Sequence, residues 1–328
     1  MNSTRVTKTT SIWLAIVTTA CGSGPLGSTR FETRPSMSIR TTAVALNPAD
    51  PTQAAIGRFR YAGGIEITST GSPGLHELSD MEIQRDGRLV AVSDEGYLFN
   101  ARLVLDGTGQ LSGLADAQVT RLVDEQGRPV RGAVNSDAEG LTTLPNGDRL
   151  VSFERDHRIW LYPAAGGPPR PAPKPDAPLP DNEGMEALSA YPAAGPNAYL
   201  VGSEAGTVWL CDLSTACRET ALGRMVPAGL SLTALASFGD EGDLAMLCRA
   251  YTPAQGNRIV VRLIASANKD GGRLLDELAM AAPLTRDNFE AIAIVSRPAD
   301  GIRLYLLSDD NGSRTQRTYL LAFDWNPP

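Results

Sequence analysis

Histidine, cysteine and aromatic residues are scarce: 328 positions hold only two histidines, four cysteines and 6% aromatics. A Ser-His-Asp triad would have to use His76 or His157, and the chain has no Gly-x-Ser-x-Gly elbow, which argues against a serine hydrolase. No Cys-x-x-Cys pair or Cys/His cluster at zinc spacing occurs, so a structural zinc site is not expected. Walker and dinucleotide glycine patterns are missing as well, so no nucleotide cofactor is expected. The formal charge is −7 with no Lys/Arg cluster. Phosphate-backbone binding needs a basic face, so no nucleic-acid partner is expected, and the surface suits cations better. Amphipathic helical periodicity is nearly absent. Leu274–Met280 is the one short stretch that passes for it, and it reads equally well as strand.

What is present suits a core-forming protein with many tight turns: 42% hydrophobic residues, 32 glycines and 23 prolines. Arg5 and Lys8 precede the apolar run Ile12–Val17, which is too short to span a bilayer but fits a secretory signal. Thr18-Thr19-Ala20 then leads into Cys21 and Gly22-Ser23-Gly24, which resembles a bacterial lipoprotein site with Cys21 lipidated. The alternative is ordinary cleavage after Ala20. The expected organisation is a signal over 1–21, a flexible tether over 22–55 and one domain over 56–328. That makes an exported protein, periplasmic or anchored in the outer membrane, a monomer meeting the membrane only through the lipid. In an oxidising compartment Cys211 and Cys217, which bracket a five-residue hairpin-like segment, can form a local disulfide, leaving Cys248 as a buried thiol.

One unit recurs five times, beginning at Ser79, Asp137, Gly184, Leu230 and Asn288. Each copy is an apolar strand, a Gly-containing turn such as Asp86-Gly87 or Asn146-Gly147, and a second apolar strand. A third strand follows each hairpin, and weaker material supplies a fourth. Such repeats predict an all-β fold: a single β-propeller of four-stranded blades, five by this count with six as the alternative. Arg58–Thr68 precedes the first copy while the last copy stops at three strands, so the N-terminal strand is expected to complete the C-terminal blade and close the ring. The Pro163–Pro180 stretch, with eight prolines, reads as a stiff connection without strand.

In a propeller the start of each inner strand and the end of the second strand meet at one channel mouth. Aligning the copies puts Glu82, Glu139, Glu186, Thr233 and Glu290 at one inner position, with Asp80, Asp137, Gly184, Ser231 and Asn288 two residues earlier. The end of the second strand reads Asp94, Arg155, Glu204, Arg249 and Asp309, with Asp310 adjacent. Two like charges 4 Å apart repel by about 4 kcal/mol at an effective dielectric of 20, so converging carboxylates must protonate, pair with arginine or hold a cation. Calcium, which takes six to eight oxygen ligands in loose geometry, answers that need. Its candidate ligands are Asp80, Glu82, Asp94, Asp137, Glu139, Glu186, Glu204, Glu290, Asp309 and Asp310. A structural reading stands beside it, in which the same carboxylates cap backbone amides and fix blade register. His157, beside Glu154-Arg155, is a candidate proton carrier.

Several segments together resemble the bacterial family called "esterase-like activity of phytase": Asp137-Ala-Glu-Gly-Leu, Glu154-Arg-Asp-His-Arg-Ile, Gly184-Met-Glu-Ala-Leu, Arg249-Ala-Tyr-Thr-Pro ahead of Asn257-Arg-Ile, Asn288-Phe-Glu-Ala-Ile, and Ser308-Asp-Asp-Asn with Gln316-Arg-Thr. The resemblance runs from about Gly63 to Trp325. It implies a propeller related in architecture to calcium-dependent phytases and often exported. Arg249 follows Cys248 where relatives usually show a glutamate-arginine pair, which puts an acidic ligand from the fourth blade in doubt. Carried over, the resemblance implies a calcium-dependent hydrolase of small anionic or ester substrates. Glu139, Glu186 and Glu290 would be ligands or bases, His157 a proton carrier, and Arg155, Arg249 or Arg317 the anion holder. The alternatives are a non-catalytic envelope-binding propeller and a lactonase-like metal hydrolase.

Overall fold

A computed structural model describes Met1 and residues 37–69, 75–267, 271–297 and 301–327. The signal segment, Cys21 and the start of the tether lie outside the described residues. Among those that are described, no helix is long and apolar enough to cross a membrane.

The five expected units are five antiparallel blades. Blade 1 runs Leu78–Ile83, Arg88–Ser93, Tyr97–Leu105 and Leu111–Arg121, and blade 2 Ala138–Thr143, Arg149–Phe153, Arg158–Tyr162 and Arg170–Ala172. Blade 3 is Ala187–Ala190, Ala198–Gly202, Val208–Asp212 and Thr215–Glu219, and blade 4 Ser231–Phe238, Asp243–Thr252, Gly256–Ala265 and Arg273–Met280. Blade 5 opens with Asn288–Arg297, Gly301–Asp309 and Thr318–Trp325. Its fourth strand is Phe59–Ser69, which pairs antiparallel with Thr318–Trp325, so the N-terminal strand closes the ring as expected. Leu274–Met280 resolves as strand.

Local chemistry accounts for the hairpins. In blades 1 and 2 the turns carry Gly87 and Gly147 at φ 79° and 90°, and the Gly87 N–H and Gly147 N–H donate to Gln84 and Leu144 carbonyls at 2.9 and 2.8 Å. Each strand's apolar residues then face a neighbouring blade. Five hydrophobic clusters result, one in each gap between blades, including the gap between blades 5 and 1. In the gap between blades 1 and 2, Phe153 and Trp160 pack edge to face with centroids 5.1 Å apart. Full burial of such a side chain stabilises by about 1.5–3 kcal/mol. The inner strands of consecutive blades touch all the way round.

Two expectations need correction. The tether does not extend to residue 55: Ile39–Ala43 adds a strand outside Phe59–Ser69, Ala55–Ile56 pairs with the start of that same strand, and Leu46 is buried. Alternation in Ile-Arg-Thr-Thr-Ala is too weak to announce a strand, and the pairing comes from the free edge beside it. Within the Pro-rich stretch, Arg170–Ala172 forms the fourth strand of blade 2. Pro171 sits there because this is a sheet edge, where a missing N–H costs no ladder bond.

Cys211 and Cys217 form a disulfide across the outer hairpin of blade 3, and Cys248 is a buried free thiol, as expected. Burial pushes the Cys248 thiol up to about 12, so it is inert at neutral pH.

Candidate functional site

Four of the five blades have a bulge near the start of the inner strand, where one residue is squeezed out of the ladder. The pairing shifts after Leu78, Ala138, Leu232 and Phe289 in blades 1, 2, 4 and 5. A bulged residue is unpaired and its side chain is re-aimed, here into the channel mouth. The residues at that position are Ser79, Glu139, Thr233 and Glu290, and Glu186 is the blade 3 counterpart, preceding Ala187 which pairs with Gly202. Blade 1 therefore contributes Ser79, three residues earlier than the sequence alignment places it.

The rim residue after the second strand follows from the same ladder. Asp94 N–H donates to Glu77 O, Glu154 N–H to Asp137 O and Glu204 N–H to Gly184 O, while Arg249 pairs with Ser231 and Asp309 with Asn288. Glu154, rather than Arg155, is thus the blade 2 counterpart of Asp94, Glu204, Arg249 and Asp309. The signal was available: in each copy the rim residue directly follows a small or apolar residue that closes the run, Ser93, Phe153, Ser203, Cys248 and Ser308, and Glu154 follows Phe153. Arg155 sits one step beyond with φ 57°, which throws its guanidinium back onto Asp137.

These residues enclose a polar cavity of about 720 Å³, lined by eight carboxyl groups and two arginines, Arg155 and Arg249. The eight are Asp94, Asp137, Glu139, Glu154, Glu186, Glu204, Glu290 and Asp309. Asp94, Asp137 and Glu139 come closest together, each offering an oxygen within 4.8 Å of the others. The Asp94 carboxylate accepts a hydrogen bond from the Ser79 hydroxyl, Arg249 Nη2 donates to Glu290 Oε1 at 3.0 Å, and Asn288 Nδ2 donates to that same oxygen at 2.8 Å. A Cβ on Gly184 would stand 2.8 Å from Glu154 Cγ, so only glycine leaves room for that carboxyl, which accepts from the Gly184 N–H at 2.7 Å.

The electrostatics are lopsided. Burial, reinforced by Glu186, Asp94, Glu290 and Asp137, holds the Glu139 carboxyl well above its usual range. Burial and then Glu290 do the same to Glu186, with the neighbouring Glu154 and Glu204 adding to it, and burial raises Glu154 as well. Burial pushes Asp94 up to about 7 and Asp309 up to about 9. Burial also raises Glu290, although Arg249 opposes it. Two arginines cannot balance eight converging carboxyls, and the imbalance favours protons or a cation. The donor set is all oxygen and mostly carboxylate, without histidine or cysteine, which fits a hard divalent cation such as calcium.

The remaining candidates lie elsewhere. Asp80 is buried and accepts from Met81 N–H at 2.8 Å and Leu141 N–H at 2.7 Å, and Glu82 accepts from the Thr143 hydroxyl at 2.6 Å. Both clasp blade 1 to blade 2 below the mouth. Asp310 binds His76 Nδ1 at 2.7 Å and the Glu77 N–H at 3.2 Å, joining blade 5 to the entry of blade 1. Arg317 faces outward to Glu66 at 3.2 Å and does not line the cavity. His157 also misses the cavity lining; its Nε2 meets Pro180 O at 2.9 Å. Alignment misses Asn182, Tyr251 and Asn257, which come from connecting loops and a strand extension with no counterpart in the other copies.

The model of the phytase-like family, "Esterase-like activity of phytase", matches residues 73–312. The chain belongs to that family. In this phytase-like propeller the matched segment carries all eight mouth carboxyls. Among solved structures the chain is similar to virginiamycin B lyase of Staphylococcus aureus, at 11% identity and TM-score 0.43, covering 88% of this chain and 100% of that one. It is also similar to the major allergen Mala s 1 of Malassezia sympodialis, at 15% identity and TM-score 0.47, covering 87% and 96%. Likeness at that level carries no argument about chemistry. No curated protein is matched by the chain.

Proposed function

We propose that this phytase-like propeller is an exported, calcium-dependent hydrolase of phosphate or carboxylate esters acting at the acidic mouth. The observation that carries the reading is the Asp94, Asp137 and Glu139 triad, with oxygens within 4.8 Å of one another at the floor of a cavity with too few arginines to neutralise it. Export is supported by the short apolar run Ile12–Val17 and by the Cys211–Cys217 disulfide, which suits an oxidising compartment.

Asp94, Asp137 and Glu139 would hold the cation, and Glu186, Glu290 and Asp309 stand beside them to supply further oxygens. Calcium bound there would supply Lewis-acid polarisation of an ester or phosphoryl oxygen and neutralise charge that develops on it. The chain's own residues do the rest. Arg249, at the rim and pinned by Glu290, is placed to hold the anionic part of a substrate. Glu154 and Glu186 both line the cavity, and burial raises both carboxyls towards the range of a general base that can accept a proton from an attacking water. Arg155 holds Asp137 in place at the edge of the cavity, where its partly exposed position gives it little weight in binding.

Hydrolysis of p-nitrophenyl phosphate and p-nitrophenyl acetate by chelator-treated protein, with and without added calcium, tests the reading. Calcium-dependent turnover that Asp94→Asn and Glu139→Gln abolish is expected. Calcium binding without turnover of either ester overturns the hydrolase reading and leaves a cation-stabilised binding module.

A further inference from the structure

Blade 4 departs from its neighbours above the rim. In blades 1, 2 and 3 the second strand ends short of the rim residue, at Ser93, Phe153 and Gly202. In blade 4 it continues past Arg249 to Thr252 and returns from Gly256, so a hairpin stands beyond the mouth. Tyr251 lies on that extension with 63% of its surface exposed, and among the described residues it is the one aromatic lining the cavity. Arg249 and Tyr251 are two residues apart on one strand and so share a face, about 7 Å apart. Asn257 pairs with Tyr251 across the hairpin, which sets a polar side chain beside the ring, and it too lines the cavity.

Single exposed apolar side chains are ordinary on a protein surface. This one is set apart by its place on a projecting hairpin, over a cavity whose other walls are carboxyls, amides, hydroxyls and two guanidinium groups. Among the described residues no ring or guanidinium stacks on it. Below it, Arg249 spends Nη2 on Glu290, its Nε is buried without a partner, and among the described residues nothing hydrogen-bonds its Nη1. A free aromatic face above a guanidinium with donor capacity to spare fits a ligand that is flat at one end and anionic at the other.

We propose that Tyr251 is the specificity platform of the mouth, stacking the flat ring of an aryl ester whose anionic group Arg249 holds. The proposal rests on the reading of the mouth as a substrate site and narrows its substrates to aryl esters over alkyl ones. Asn257, at the edge of the stacked ring, offers an amide to a polar ring substituent. A saturated alkyl group of equal charge would reach Arg249 but leave the tyrosine face in water.

Calorimetric titration of the full chain with phenylphosphonate and with ethylphosphonate, in the presence of calcium, tests this without requiring turnover. Wild type is expected to bind phenylphosphonate about tenfold more tightly. Tyr251→Ala should lose that preference and Tyr251→Phe should keep it. The exposed position makes either variant compatible with folding. Equal affinity of wild type for the two phosphonates, a preference that survives in Tyr251→Ala, or failure of both to bind would each overturn the proposal. Because neither probe is hydrolysed, a chain that proves catalytically silent still gives a readable preference, so failure of the platform is distinguishable from failure of the hydrolase reading.

Discussion

Blade 5 carries buried carboxylates at both of its ends, and the two ends are solved in opposite ways. Away from the mouth, Asp324 is nearly enclosed yet ringed by Arg303 Nε at 2.6 Å, Arg60 Nη2 at 2.5 Å and Arg297 Nη1 at 3.3 Å. Those hydrogen bonds and charges, against the cost of burial, hold its carboxyl below the usual range. At the mouth, Asp309 is buried against Glu290 and Asp94, with no arginine bonded to it among the described residues, and is pushed up. Burial is common to both ends. What differs is the partner, and a buried acid without one marks a place built to receive a cation or a proton.

The largest effect should come from breaking the balanced end. Asp324→Asn leaves three guanidinium groups around a neutral amide, and a loss of about 4 kcal/mol in urea unfolding is expected, with calcium binding retained. At the unbalanced end, Glu139→Gln should weaken calcium about a hundredfold, read by calorimetry, because a carboxylate ligand is lost from a charged site. The two ends should also respond to pH with opposite signs. Asp324 has a depressed folded-state pKa, so its contribution is present at neutral pH and disappears as pH falls through the acid range. Asp94 and Asp309 have raised ones, at about 7 and about 9, so the metal-free fold binds more protons than the unfolded chain between the ordinary carboxylate range and those values. Its stability must then fall as pH rises through that window. A drop of about 5 °C in Tm of chelated protein from pH 5 to pH 8 is expected, and excess calcium should remove it. The smallest effect sharpens the contrast: Arg155→Gln frees the buried Asp137 from a partly exposed arginine, and calcium should bind about threefold more tightly.

Much of the architecture was legible because tight turns and apolar strands repeat on a fixed pattern. Asp86-Gly87 and Asn146-Gly147 punctuate hairpins that the structure reproduces, and the unpaired Arg58–Thr68 segment found its place as the closing strand. The site was legible where a glutamate stands at the start of the inner strand, at the bulge in Glu139 and Glu290 and just before the strand in Glu186. It was misread in blade 1, because Asp80-Met81-Glu82 mimics the spacing of Asp137-Ala138-Glu139, while the bulge that sets the true register at Ser79 leaves no trace in alternation. The same ambiguity exchanged Glu154 for Arg155. Asp310 looked like a mouth residue by its place beside Asp309 and Arg317 through the family resemblance, yet the turn after Asp309 carries Arg317 out to Glu66 and Asp310 under the rim to His76. Side-chain direction in a turn is decided by tertiary partners.

Calcium titrated calorimetrically into the full, chelator-treated chain at pH 7.5, beside Glu139→Gln, measures the central claim most directly. Saturable binding by wild type that the glutamine variant weakens about a hundredfold is the result expected of a cation-holding mouth. Wild type that takes up no calcium, or a variant that binds as tightly, would contradict it and leave the converging carboxyls as a proton-sharing element of blade architecture.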